Sequence, residues 1–245
     1  MAVYVISDLH LSTNRKTNKS MEVFGSRWKN YIERIEQNWR HLVEPTDTVI
    51  IPGDISWAMT LDEAVEDFAY LDALPGNKII SKGNHDYWWA TLAKATAFFE
   101  KHEFHTIKLL HNNAYEVEDF IICGSRGWFS DENVGNIPQG TDYQKIVSRE
   151  AIRVRISLEE AEKINAQNGS AKEKLVFLHF PPVFRDFCCE EIVTVLKEFG
   201  VRRCFYGHIH GVYDVGGSFE HDGIRFTMVS ADFRGFVPLH IAKMQ

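Results

Sequence analysis

The chain is built around short apolar runs, none long enough to be much more than a strand. They fall at 2–7 (AVYVIS), 48–52 (TVIIP), 78–81 (KIIS), 120–124 (FIICG), 175–179 (LVFLH), 203–206 (RCFY), 225–230 (RFTMVS) and 237–241 (VPLHI). All but one contain Val or Ile, and Phe recurs among them; these side chains fit a pleated, packed surface. Between them lie helical patterns at 27–43, 61–74, 88–101, 143–167 and 189–199. In the fourth, Val147, Ala151, Val154, Leu158 and Ala161 alternate spacings of four and three, which places them on one stripe opposite a charged, solvated side. Strand and helix alternate through the first hundred residues, the mark of an α/β architecture with parallel pairings. The stretch "NNAYEVEDFIICG" reads instead as a hairpin entering a second sheet. The expectation is two packed sheets with helices outside, formed by one domain over residues 1–245.

With 44% hydrophobic residues in 245, the chain can bury a substantial core. A formal charge of −7 argues against an extended nucleic-acid face. No run approaches the ~18 apolar residues of a membrane span, and "MAVYVISDLH" reaches Asp8 too early for a signal peptide. Cys123, Cys188, Cys189 and Cys204 show no CxxC spacing, so reduced thiols in the cytoplasm are expected, and ordinary burial is preferred to a zinc role for Cys188 and Cys189.

Chemistry concentrates where the runs stop. One ends in Asp8-Leu9-His10, others in Gly53-Asp54, Gly83-Asn84-His85-Asp86, His179, and Gly207-His208-Ile209-His210. Each supplies a metal-competent side chain. Ligands of open α/β sheets gather outside the carboxyl ends of strands, so these five loops are expected to converge. In D-x-H and H-x-H, residues two apart on an extended segment face the same side. Asp54 and Asn84 each follow a glycine, read here as allowing a sharp turn at the strand end. A lone histidine on an apolar strand is more often a satisfied core residue than a ligand; five such endings in order point to a metal site.

This ordered set resembles the calcineurin-like metallophosphoesterases, most closely a bacterial, phosphodiesterase-like branch, and spans Asp8 to His210. The resemblance implies a four-layer α/β/β/α sandwich and two divalent or trivalent metal ions. It implies that Asp8, His10 and His210 bind the first metal, that Asp54 bridges to the second, and that Asn84, His179 and His208 complete it. His85 then serves the phosphate and leaving group rather than a metal. The implied reaction is hydrolysis of a phosphodiester or phosphomonoester by attack of a metal-bridging hydroxide. The mixed His, carboxylate and amide donor set favours Mn, Fe or Zn.

The match departs at "GDISWAM", where the serine/threonine phosphatases carry an orienting Asp and a phosphate-gripping Arg but this chain has Trp57 and Ala58. A substitute phosphate contact is therefore expected, with Arg126 first and Arg15 and Arg234 after it. Trp57, Tyr87, Trp88 and Trp128 follow site loops, and Trp57 and Trp88 in particular are expected in an apolar rim that stacks on the substrate. The polar connection 12–30 is a candidate lid, and 132–143 a second wall. A small phosphoester is the expected substrate. A nuclease acting on short nucleic acid, and a regulatory metal-binding scaffold with little activity, are the alternatives.

Overall fold

A computed structural model describes residues 1–14, 19–128, 142–169 and 171–243. Two large sheets result from the apolar runs. The first holds β1 (Val3–Val5), β2 (Thr48–Pro52), β3 (Asn77–Ser81), β4 (Ile107–Leu109) and β13 (Leu239–His240), in the order β13-β1-β2-β3-β4. The second holds β5 (Tyr115–Val117), β6 (Phe120–Ser125), β7 (Glu173–Leu178), β10 (Arg203–Tyr206), β11 (Ser218–His221) and β12 (Ile224–Met228), in the order β11-β12-β10-β7-β6-β5. A two-stranded hairpin, β8 (Val183–Phe184) with β9 (Phe187–Cys188), completes the set. Four neighbouring strands of each large sheet run parallel, and the antiparallel strands β13, β11 and β5 lie at edges.

Period-two alternation sorts the strand side chains between three cores. Val3, Val5, Ile50 and Ile79 of the first sheet meet Phe120, Ile122, Leu175, Phe177 and Phe205 of the second, forming the layer between the sheets. The alternate residues Val49, Ile51 and Ile80 face outward onto α1 (Tyr31–Leu42), α2 (Val65–Ala73) and α3 (Leu92–Lys101). On the far side Ile121, Cys123, Val176, Leu178, Cys204 and Tyr206 face α4 (Tyr143–Asn168) and α5 (Glu190–Glu198). The layers are therefore helix, sheet, sheet, helix, as the strand and helix patterns anticipate. Both faces of each sheet are covered, which is why the strands read as nearly continuous apolar runs.

The stripe on α4 is buried as its spacing requires, with Val147, Val154, Leu158 and Ala161 fully enclosed. The helix expected from residue 88 begins only at Leu92, because Thr91 caps it by accepting the Lys94 amide at 3.2 Å. Residues 88–91 thus belong to the strand-end loop. Strands β4 and β11 are additions to the sequence reading. The Asp222-Gly223 pair, with φ of 52° and 76°, forms the two-residue turn of the β11–β12 hairpin and was its available signal.

Leu158 is expected to be a cornerstone of the outer helix layer. Leu158→Ala should cost about 2–5 kcal/mol, read as a lowered urea midpoint with an unchanged m-value.

Candidate metal centre

All five ligand-bearing loops leave the carboxyl ends of strands in the two sheets. The sheets are joined there by a parallel bridge between Ser7 and Ser230, in which the Ser7 amide donates to Val229 O at 2.9 Å. The Asp8 and His208 loops thereby come together: the His208 amide donates to both Asp8 carboxylate oxygens at 3.0 Å. The chain is bent hard at the ligands. Asp8, His10, Asp54 and His208 all take positive φ, at 60°, 45°, 53° and 70°. Non-glycine residues in that region cost energy and gather at functional sites.

Two groups of donor atoms result, each with all its atoms within 4.8 Å of one another: Asp8, His10 and His210, and Asp8, Asp54 and His179. Within them His210 Nε2 lies 3.4 Å from Asp8 Oδ1, and the Nε2 atoms of His10 and His210 are 3.1 Å apart. Asp54 Oδ2 stands between the groups, 3.7 Å from His10 Nε2 and 3.5 Å from His179 Nε2. Asn84 joins the second group through its Oδ1, 2.6 Å from His179 Nε2. The His208 ring lies beside His179, centroids 5.2 Å apart. The structure thus brings together Asp8, His10, Asp54, Asn84, His179, His208 and His210.

The fit to metal ions rests on two observations. The donors are imidazole, carboxylate and amide oxygen, the mixture that suits first-row divalent ions. In addition Asp54 Oδ2 and His10 Nδ1 are buried with no hydrogen-bond partner among the described residues, a costly condition for a carboxylate oxygen unless another group meets it.

Two glycines make this proximity possible. Gly53, at φ +90°, turns the chain ahead of Asp54, and a Cβ there would sit 2.7 Å from Gly83 Cα. Gly83 corrects the sequence reading, for its backbone is not left-handed. It is needed for space: a Cβ on Gly83 would overlap Asp54 Oδ1 and the Asp54 amide.

The carboxylates that fix the ligands escaped sequence reasoning. Asp86 accepts the amides of Asp54 at 2.8 Å, Ile55 at 2.9 Å, Ser56 at 3.3 Å and Gly83 at 2.8 Å, and the Trp88 indole N–H at 2.8 Å. Asp232 lies 2.9 Å from His210 Nδ1 and accepts from the Gly211 amide and the Tyr213 hydroxyl. Such partners orient ligating imidazoles. Asp86 is adjacent to His85, and that adjacency was its one signal; Asp232, 22 residues beyond His210, had none.

Burial governs the charges. It drives His10 well below its usual pKa and lowers His179 to about 3 and His208 to about 4, so these imidazoles are neutral and competent to ligate at neutral pH. Burial opposes charge on Asp8 too, but His210 and the other histidines hold its carboxyl below the usual range. Burial, then the charges of Asp86 and Asp8, pushes Asp54 up. Burial also disfavours protonation of His210, yet Asp8 and Asp232 raise it to about 10 in the metal-free protein.

His85 is placed apart from both groups. Its amide donates to Asp54 Oδ1 at 2.8 Å, and its ring packs 4.6 Å from Trp57, which itself stacks 4.8 Å from His10. Trp57 therefore braces two site histidines, with Lys19 over its ring. The rim expectation is corrected at Trp88, which is 1% exposed, packs edge-on to Phe68 and gives its N–H to Asp86. Tyr87, 53% exposed and edge-on to His85, is the open ring of that loop.

Arg126 leaves the end of β6, and its carbonyl accepts the His179 amide at 3.1 Å. Its guanidinium lies 3.9 Å from Glu150 and over the rings of Trp128 and Phe180, with Phe180 between it and His208. Arg234 sits half-buried in the loop after Asp232; Arg15 and the stretch 132–141 lie outside the described residues. In the described part of the connection 12–30, Trp28 is buried edge-on to His10 and His210 and Arg27 Nε donates to Asp232 O at 2.7 Å, while Val23 and Phe24 are exposed.

The family model for the calcineurin-like phosphoesterases matches residues 1–212. The chain belongs to the calcineurin-like phosphoesterase family. As such it is a metal-dependent hydrolase acting on phosphoester bonds. No curated protein matches the chain. Among solved structures, TT1561 of Thermus thermophilus has the same fold, with a TM-score of 0.54 at 12% identity over 98% of this chain and 97% of that one. The phosphopantetheinyl hydrolase PptH of Mycobacterium tuberculosis is similar at 15% identity and a TM-score of 0.48, covering 99% and 96% of the two chains. A protein of unknown function from Aquifex aeolicus, AQ665, is similar at 19% identity and a TM-score of 0.44, covering 98% and 95%. No helix among the described residues is long and apolar enough to cross a membrane.

Two outcomes are expected of this phosphoesterase. Gly83→Ala should displace Asp54 and weaken metal affinity about tenfold or more, read by metal titration. The metal-free protein should also lose stability as pH rises. Below 6.5 His210 is protonated folded and unfolded, and its pairing contributes fully. Between 6.5 and about 10 only the folded state holds the proton, so stability falls through that window. Urea unfolding of metal-stripped protein should show this slope, and His210→Gln should flatten it; an equal slope in both proteins would contradict the assignment.

Proposed function

We propose that this chain is a dinuclear, cytoplasmic phosphohydrolase of one domain, acting on a small phosphoester. The observation that carries the dinuclear reading is Asp54 Oδ2, buried and unpartnered among the described residues, within 3.7 Å of His10 Nε2 and 3.5 Å of His179 Nε2. A carboxylate oxygen so placed can serve a donor set on either side. Asp8, His10 and His210 would hold one ion and Asn84, His179 and His208 the other, with Asp54 shared. Mn, Fe or Zn suits those donors better than Ca. When bound, such ions supply the Lewis acidity that activates water and offsets phosphoryl charge.

The chain's own residues do the rest. Asp86 and Asp232 hold the ligand loops and the His210 ring in place. His85 is held at its amide by Asp54 and on its ring by Trp57. Burial, then the charge of His210, lowers its pKa. A neutral imidazole still donates one N–H, and that donor serves the phosphoryl or leaving-group oxygen. The four cysteines are free, as a reducing compartment favours.

Metal-stripped protein should hydrolyse neither p-nitrophenyl phosphate nor its bis ester, and Mn²⁺ should restore turnover with two ions bound per chain. His85→Ala should keep both ions and lose about 10²–10⁴-fold in turnover, whereas Asp54→Asn should lose metal and activity together. One ion per chain at saturation would contradict the dinuclear reading. Two bound ions with no turnover would favour a binding scaffold.

A further inference from the structure

Beside the metal centre lies a cavity of about 700 Å³ whose lining includes Lys82, Arg126, Arg149 and Arg153, with Glu150 and Trp128. Among the described residues of that lining Glu150 is the one carboxylate; it is 1% exposed and already engaged: Arg153 Nη1 lies 2.5 Å from it and Ser125 Oγ 3.4 Å. Among the described residues, four cations against one anion leave an excess of three positive charges, in a chain whose formal charge is −7. Like charges gathered along one cavity attract an anion. Arg126 Nε is buried with no hydrogen-bond partner among the described residues.

The cavity and the metal centre share the end of β3, and β6 neighbours the ligand-bearing β7. Lys82 directly follows β3 and stands two residues before Asn84, while Arg126 directly follows β6 and its carbonyl takes the amides of His179 and Phe180. Phe180 lies against Arg126 on one side and 4.5 Å from the His208 ring on the other.

We propose that this cavity receives a second phosphate of the substrate, so that the enzyme acts on small bisphosphorylated molecules. The proposal rests on the phosphoesterase reading of the metal centre and names its substrate class. A phosphate monoester brings about −1.5 to −2 at neutral pH, which answers half to two-thirds of the excess; a carboxylate brings about −1 and answers a third. Guanidinium forks match phosphate oxygens in bidentate geometry. The half-buried Trp128, facing Arg126, adds an apolar wall for the group that links the two phosphates.

The test uses adenosine 3′,5′-bisphosphate and adenosine 5′-monophosphate with wild-type protein, Arg149→Ser/Arg153→Ser and Arg149→Glu. Arg149 is exposed, so Arg149→Glu guards against a folding defect from unpairing Glu150 in the double variant. For Mn²⁺-loaded protein, the bisphosphate should show a KM about tenfold or more below that of the monophosphate. Both variants should erase that gap while leaving turnover of p-nitrophenyl phosphate unchanged. For metal-stripped protein, calorimetry should show adenosine 5′-monophosphate binding that the variants weaken about tenfold. Equal KM values in wild-type protein, or a gap that survives in both variants, would overturn the proposal. A short oligonucleotide saturating more tightly than the bisphosphate would overturn the small-molecule reading. Failure of the metal centre reads differently: no substrate is turned over, while binding to the stripped protein still reports on the cavity.

Discussion

The carboxylate of Asp86 holds the centre together. It is fully buried, and its two oxygens gather four backbone amides and one indole N–H from two loops, those after β2 and β3. Burial raises its pKa and these bonds pull it back, so the charge is tolerated only while the donors surround it. Because it anchors the amides of both Asp54 and Gly83, it sets the spacing at which Asp54 meets the backbone of the neighbouring loop. The contact between the His85 amide and Asp54 Oδ1 follows from that spacing. An apolar residue in its place would leave five buried donors unmet.

Around this knot the fold supplies convergence and the backbone supplies aim. Parallel strands in both sheets deliver their carboxyl ends to one edge, and the layer of Val, Ile, Leu and Phe between the sheets fixes how far apart those edges lie. Left-handed turns at Asp8, His10, Asp54 and His208 then swing side chains inward. Strain of this kind persists only where the surroundings over-determine it; the bonds from His208 to Asp8 and from Asp54 to Asp86 do so here.

Much of this was legible in the residues. Strands with one strong core pattern announced themselves, as did the α4 stripe, because burial on a fixed face leaves a period in the sequence. The metal-competent side chains at strand ends were equally visible. What stayed hidden depends on contacts made through space. Asp232 reaches His210 only because β12 pairs beside β10, and no local pattern marks a carboxylate that serves a distant ring. Trp88 looked like part of a helix start near the site, but the Thr91 cap moved the helix on and left the indole free to turn into the core. Edge strands β4 and β11 were missed because short strands with one exposed face resemble polar connections. Gly83 was seen but its reason was not, since close approach to Asp54 is invisible without the second loop.

The joint between Ser7 and Ser230 has a consequence for biosynthesis. A chain emerging from the ribosome presents Asp8, His10 and Asp54 long before His179, His208, His210 and Asp232 have been made. Early fragments therefore hold two of the three donors of each group but lack the histidine that completes it, His210 in one and His179 in the other, and the His210 ring cannot be oriented until the loop beyond β12 has closed. Neither group is complete until the second sheet has been made, so tight capture of metal waits for its late histidines.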